Sequence, residues 1–185
     1  MTSIVPPTAL PLTGTLRRLY FARFGFAVVW ALLLATVAPD VAPLLTVLLV
    51  LYPLVDAAAV FTELRATAAT SRSRVSETAN VVVSVLAAIG LGWSSTVSPA
   101  AVLAVWGVWA VLAGASQLAT GLSRRKLGGQ WPLVFSGGLS VLVGFAFLAQ
   151  GVNEAASVTS VAGYATFGGV LFLISAIRLG RKARA

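Results

Sequence analysis

Apolar residues gather along this chain into six long runs separated by short polar breaks: Leu19–Ala38, Ala42–Leu64, Asn80–Val97, Ala100–Leu122, Trp131–Ala149 and Val158–Arg178. A hydrocarbon core of ~30 Å takes about 20 mostly apolar residues per helix. The runs therefore predict an all-α, polytopic integral membrane protein with six transmembrane helices, 19–38, 42–64, 80–97, 100–122, 131–149 and 158–178. Residues 1–18 are left as a flexible cytoplasmic tail, because Pro6, Pro7 and Pro11 interrupt a helix there. With no charge ahead of an apolar run, Met1 to Thr15 does not read as a cleaved signal. Residues 179–185 form a basic C-terminal tail, and no connection is long enough to fold as a domain.

Composition supports that reading. The chain has 185 residues, 58% of them hydrophobic and only 10% charged, with a mean hydropathy of +0.95. Soluble domains run at ~25% charged residues, so this chain lacks the polar side chains to coat a water-soluble globule. It contains no cysteine and no histidine. That removes disulfides, thiolate nucleophiles, the usual zinc ligand sets and the commonest general base, so neither an enzyme nor a metal or other cofactor is expected.

Charge then sets orientation. With six spans, all 13 lysines and arginines fall on one side of the membrane, from Arg17 and Arg18 to Arg178, Arg181, Lys182 and Arg184. The opposite side carries Asp40 and Glu154. Basic residues are retained in the cytoplasm on insertion, which predicts both termini inside and the Pro39–Asp40, Ser98–Pro99 and Asn153–Glu154 turns outside. The net charge of +8 is then a girdle facing anionic lipid head groups of a bacterial plasma membrane, and no nucleic-acid partner is implied. Trp131 and Trp93 sit where interfacial belts form, whereas Trp30, Trp106 and Trp109 lie deeper and are expected to pack between helices.

The spans also repeat. Thr36-Val37-Ala38-Pro39 recurs as Thr96-Val97-Ser98-Pro99, and the second helix of each pair passes from an aromatic through small residues to arginine: Tyr52 to Ala57 with Arg65, Trp109 to Gly114 with Arg124, Tyr164 to Gly169 with Arg178. Three pseudo-repeated hairpins of parallel topology are expected. Small residues four apart allow close approach of helices in lipid, and they recur as Ala27, Ala31 and Ala35; Ser84, Ala88 and Gly92; Ser136, Ser140 and Gly144; Ala110 with Gly114; and Ala165 with Gly169. These stripes are expected to face inward and join the hairpins, and a homo-oligomer or another membrane protein is a possible partner.

The elements at Tyr52–Ala57 and Tyr164–Gly169, with the stretch Trp131-Pro-Leu-Val-Phe-Ser-Gly-Gly-Leu-Ser-Val-Leu-Val-Gly144, resemble the HdeD-like membrane proteins over roughly residues 17 to 182. Ala57, Ala58 and Pro53 depart from that pattern in the first hairpin. The resemblance implies a non-enzymatic six-span inner-membrane protein linked to acid or stress resistance, and it carries over no catalytic residue.

Ionisable groups at membrane depth are site candidates. Asp56 lies nine residues before Arg65, ~13.5 Å along the helix at 1.5 Å per residue. Arg23 on the neighbouring helix is expected to reach Asp56 or Glu63, and Gln117 is expected to bond Ser116, Thr120 or Ser175 across helices. The main functional alternative is a small proton-linked transporter or permease using Asp56 with Arg23, distinguished by whether Asp56 borders a water-accessible cavity.

Overall fold

The computed structural model describes residues 9–36, 42–66, 71–123, 131–152 and 157–182. It is all-α: α1 Ala9–Thr36, α2 Ala42–Ala66, α3 Ser71–Ser94, α4 Pro99–Ser123, α5 Trp131–Val152 and α6 Ser160–Lys182. All six are long and apolar enough to cross a membrane. The turns at Pro39–Asp40 and Asn153–Glu154, with Arg124, Arg125, Lys126 and Arg184, lie outside the described residues.

Three boundaries differ by four residues or more from those expected. α1 begins at Ala9, because Pro11 falls in its first turn, where a missing N–H deprives no helical carbonyl of a partner. α6 runs on through the basic tail to Lys182. The largest difference is α3, which starts at Ser71 and takes in charged residues that the hydropathy pattern leaves in a loop. Ser73, Glu77, Asn80 and Ser84 recur at the 3.6-residue period on one face and are at most 5% exposed, while Val75, Val82, Leu86 and Ile89 are at least 52% exposed. From Ser73 to Ser84 the helix is inside-out, with its polar face toward the bundle, whereas from Ala87 to Leu91 its buried side is apolar.

Between α3 and α4 the turn is short and well satisfied. Ser95, Thr96, Val97 and Ser98 donate their N–H groups back to carbonyls of the last turn of α3. The Ser98 hydroxyl then accepts from Ala101 N–H at 3.1 Å, capping α4 with Pro99 at its first position.

The closest packed neighbours are α4 with α5, α1 with α6, α2 with α3 and α3 with α4, whereas α1–α2 and α5–α6 touch lightly. The α4–α5 seam is built on glycine. Gly107, Gly114 and Gly121 recur every seven residues on α4, as do Gly137, Gly144 and Gly151 on α5. A methyl at Gly144 would stand 2.8 Å from Gly107 O, and one at Gly137 would stand 2.7 Å from Gly114 O and Leu118 N. Only hydrogen at Cα lets the two backbones sit this close. A seven-residue period is 3.5 residues per turn, the repeat that keeps one seam in register along a shallow left-handed crossing.

The other small residues divide by position. Ala27 and Ala31 are buried and Ala35 is exposed. Gly169, buried like its neighbour Ala165 one turn earlier, packs on α1, where an added methyl would meet Ala27 Cβ at 3.0 Å. Ala88 is buried on α3, and Gly92 faces Val50 of α2 at ordinary contact distance. Ala110 is buried in the core, and Ser140 meets Gly114. At the centre, Trp30 stacks on Trp106 at 5.6 Å, with Tyr52 and Trp109 completing the cluster. Trp30 Nε1 donates to Leu48 O at 2.7 Å, which closes α1 on α2. Trp131 and Trp93 are 76% and 66% exposed near helix ends.

Candidate functional site

Beside the aromatic cluster the bundle holds a cavity of about 80 Å³ lined by residues of all six helices. Its charged wall is a cluster around Arg23. The guanidinium pairs with Asp56, lies 3.9 Å from a carboxylate oxygen of Glu63, and sits 4.0 Å over the Phe172 ring. Asp56 and Glu63 are seven residues apart on α2, two turns along one face, so one arginine from α1 reaches both. Pro53 lies one turn before Asp56 inside α2. It removes the N–H that would have bonded Leu49 O and is a natural bend point beside the pair.

The second oxygen of Asp56 is held from α3. Asn80 Nδ2 donates to it at 3.0 Å and Ser84 Oγ at 3.3 Å. Ser84 in turn accepts from Trp109 Nε1 of α4 at 3.0 Å. This relay, Trp109 to Ser84 to Asp56 to Arg23, joins four helices through one carboxylate. Charge-assisted bonds of this kind are roughly twice as strong as neutral ones, and in lipid they supply the partners a buried ion needs.

Glu77 and Gln117 also line the cavity, with Ser116, Thr120 and Ser136. Gln117 is on the cavity wall, while Ser116 and Ser175 donate to carbonyls of their own helices. Thr120 Oγ1 bonds Ser116 O and reaches across to Ser76 Oγ at 2.6 Å. On the far wall Tyr164 donates to Ser140 Oγ at 2.8 Å, and its ring meets Phe147 edge-on.

Of the four ionisable or amide residues singled out from the sequence, Asp56, Arg23, Glu63 and Gln117 all reach this one cavity. Sequence reasoning missed Glu77 and Asn80, read Ser84 and Trp109 only as packing residues, and read Tyr164 only as part of the repeat. The available signal was the spacing of Ser73, Glu77, Asn80 and Ser84, a polar stripe of helical period running from the loop into the third apolar run. No family model, curated protein or solved structure matches this chain, so the chemistry of the cavity carries the functional argument.

Proposed function

We propose that this protein is a small proton-linked carrier or permease of the bacterial plasma membrane, with Asp56 and Arg23 as its coupling pair and both termini in the cytoplasm. The observation that carries this reading is the position of the pair on the wall of a cavity lined by all six helices. Ionisable residues that face an internal cavity of a membrane bundle mark substrate, ion or proton pathways.

Arg23 stands between two carboxylates, which supplies a coupling step. Protonation of Asp56 removes the negative charge facing Arg23 and leaves Glu63 as its carboxylate partner. The guanidinium then moves along α2 toward Glu63, and Asn80 and Ser84 lose their charged acceptor. Four helices would register that one proton, and Pro53 offers α2 a place to flex.

We further read the bundle as three pseudo-repeated hairpins closed into a ring. The tight contacts α2–α3, α4–α5 and α1–α6 each join one hairpin to the next, which suits that reading.

A second reading draws on the saturation of Asp56 by Arg23, Asn80 and Ser84. On it the network is a structural polar core, and the protein is a non-enzymatic assembly module of the HdeD-like, stress-resistance kind acting through lipids or a membrane partner. Proteoliposomes carrying a pH-sensitive dye separate the two. Proton flux under an imposed gradient that vanishes in Asp56→Asn supports the carrier. Absence of flux in the wild type, with a folded but less stable mutant, supports the module.

A further inference from the structure

The two halves of the bundle are built differently. At one end lie Arg17, Arg65, Arg74 and Arg178, and the cavity lining reaches almost to that basic end. Thr120 is three residues from the end of α4, Leu133 two from the start of α5 and Glu63 three from the end of α2. The apolar core cluster fills the other half. On α2, α4 and α6 it ends at Leu49, Ala110 and Ala165, and on α1, α3 and α5 it begins at Trp30, Ala87 and Phe147. Between the halves stand Tyr52, Trp109 and Tyr164, the aromatic of each repeated sequence element, and all three line the cavity. Their other sides are packed. Tyr52 meets Trp30 at 4.6 Å and Trp106 at 5.5 Å, Trp109 stands edge-on to Trp106 at 5.1 Å, and Tyr164 stands edge-on to Phe147. Two of the three are tied to the ion pair as well. Tyr52 lies one turn before Asp56 on α2, and Trp109 donates to Ser84, which donates to Asp56.

We propose that the cavity is a water-filled half-channel leading from the basic end to Asp56, and that Tyr52, Trp109 and Tyr164 are the gate that closes it to the opposite side. The proposal rests on the carrier reading and supplies the proton's route. A volume of about 80 Å³ has room for several waters. Gln117, Ser116 and Ser136 on its wall give such waters the polar partners they need. Beyond the three rings the bundle is apolar, and the Trp30 N–H there is already spent on Leu48 O. One polar group in that half stands out. Trp106 Nε1 is buried directly behind Trp109 and finds no hydrogen-bond partner among the described residues. An orphaned buried donor calls for an explanation, and a gate supplies it, since water passing an opened ring would meet that N–H first. The relay through Ser84 then links the two events: a change of charge at Asp56 alters what Ser84 and Trp109 are bonded to.

Because the chain contains no cysteine, single cysteines report where water reaches, thiol reactivity depending on ionisation and access. The probe is methyl methanethiosulfonate, applied to the full chain in lipid nanodiscs. Ser136→Cys on the cavity wall should react at least about tenfold faster than Ala87→Cys, one turn beyond Ser84 in the apolar half. Adding Trp109→Ala should speed Ala87→Cys by at least about tenfold, whereas Trp109→Phe, which keeps a ring in place, should leave it slow. Leu103→Ala removes packing from the same core without touching the gate, and should also leave Ala87→Cys slow. Tyr52→Ala repeats the opening should Trp109→Ala fail to fold. An unreactive Ser136→Cys, or equal rates at the two positions, overturns the half-channel. Ala87→Cys that stays slow in a folded Trp109→Ala or Tyr52→Ala variant, or is fast in Leu103→Ala, overturns the gate. Labelling needs no transport, so proton flux without this pattern sinks the inference and leaves the carrier standing, whereas the pattern without flux does the reverse.

Discussion

Gly137 and Gly138 are adjacent on α5, yet alanine at the two positions should have opposite consequences. A methyl at Gly137 would lie 2.7 Å from both Gly114 O and Leu118 N and 3.0 Å from Leu118 Cα, all backbone atoms of α4. At Gly138 it would meet nothing within 4 Å. Backbone cannot swing aside as a side chain can, so Gly137→Ala must push α5 off α4 until the contact reaches ordinary van der Waals distance near 3.4 Å, an opening of about 0.7 Å. A gap of that size forfeits roughly a quarter to a half of each affected contact, and each contact is worth ~0.1–0.2 kcal/mol. With on the order of 30 atom pairs around the crossing, the loss is about 1–2 kcal/mol, in line with the ~1–3 kcal/mol typical of overpacked cores. In lipid no hydrophobic term between helices compensates for that loss. Thermal unfolding in nanodiscs should show Gly137→Ala destabilised by this amount and Gly138→Ala unchanged or slightly stabilised. Adding Gly114→Ala to Gly137→Ala should cost less than the sum of the singles, because the first substitution has already opened the seam. Equal effects at Gly137 and Gly138, or strict additivity at Gly114 and Gly137, would refute a backbone-contact seam.

Removing one member of a buried ion pair strands the other, at ~3–5 kcal/mol. Arg23→Leu should therefore destabilise strongly and Asp56→Leu less, because Glu63 remains beside the guanidinium, while the double variant is more stable than the sum predicts; a denaturation-based double-mutant cycle reads the coupling. Trp109→Phe removes the indole N–H from Ser84 Oγ and keeps most of the ring, so it should cost ~1 kcal/mol by thermal unfolding. That cost should disappear in a Ser84→Ala background. Because the chain contains no cysteine, single cysteines report topology cleanly: in intact cells a membrane-impermeant maleimide should label Thr96→Cys in the α3–α4 turn and leave Ala66→Cys at the end of α2 unlabelled.

Six apolar runs predict six helices because hydrocarbon thickness leaves little freedom in span length, and the site candidates follow because charge at membrane depth is rare enough to single out. Asp56, Arg23 and Glu63 were legible on that ground. What hydropathy hides is a helix whose buried side is polar. Ser71 to Glu77 looks like loop because charge lowers its average, yet in the bundle Ser73 and Glu77 turn inward while Arg74 and Val75 face out. The packing period was similarly obscured. Small residues abound four apart, but the α4–α5 seam runs on glycines seven apart, because two long helices crossing at a shallow angle keep contact only along a 3.5-residue repeat. Ala35 continues the four-residue pattern of Ala27 and Ala31 and is nonetheless exposed. Four-residue steps drift by about 40° each around a 3.6-residue helix, and two steps from Ala27 carry Ala35 out of the interface.

The two structural features act together. A tight glycine seam joins α4 to α5, close packing continues through α3–α4 and α2–α3, and α1 with α6 forms a separate close pair. Looser contact is left at α1–α2 and α5–α6, and the polar cavity touches both places: Arg23 bridges the first, and Gly168 borders the second. A bundle able to change shape does so where contacts are fewest. On the proposed carrier reading, a proton arriving at Asp56 would alter the tie across one loose seam, α1–α2. On that reading α1 with α6 would shift against α2–α5 at the two weak seams, turning a local change of charge into relative movement of helices.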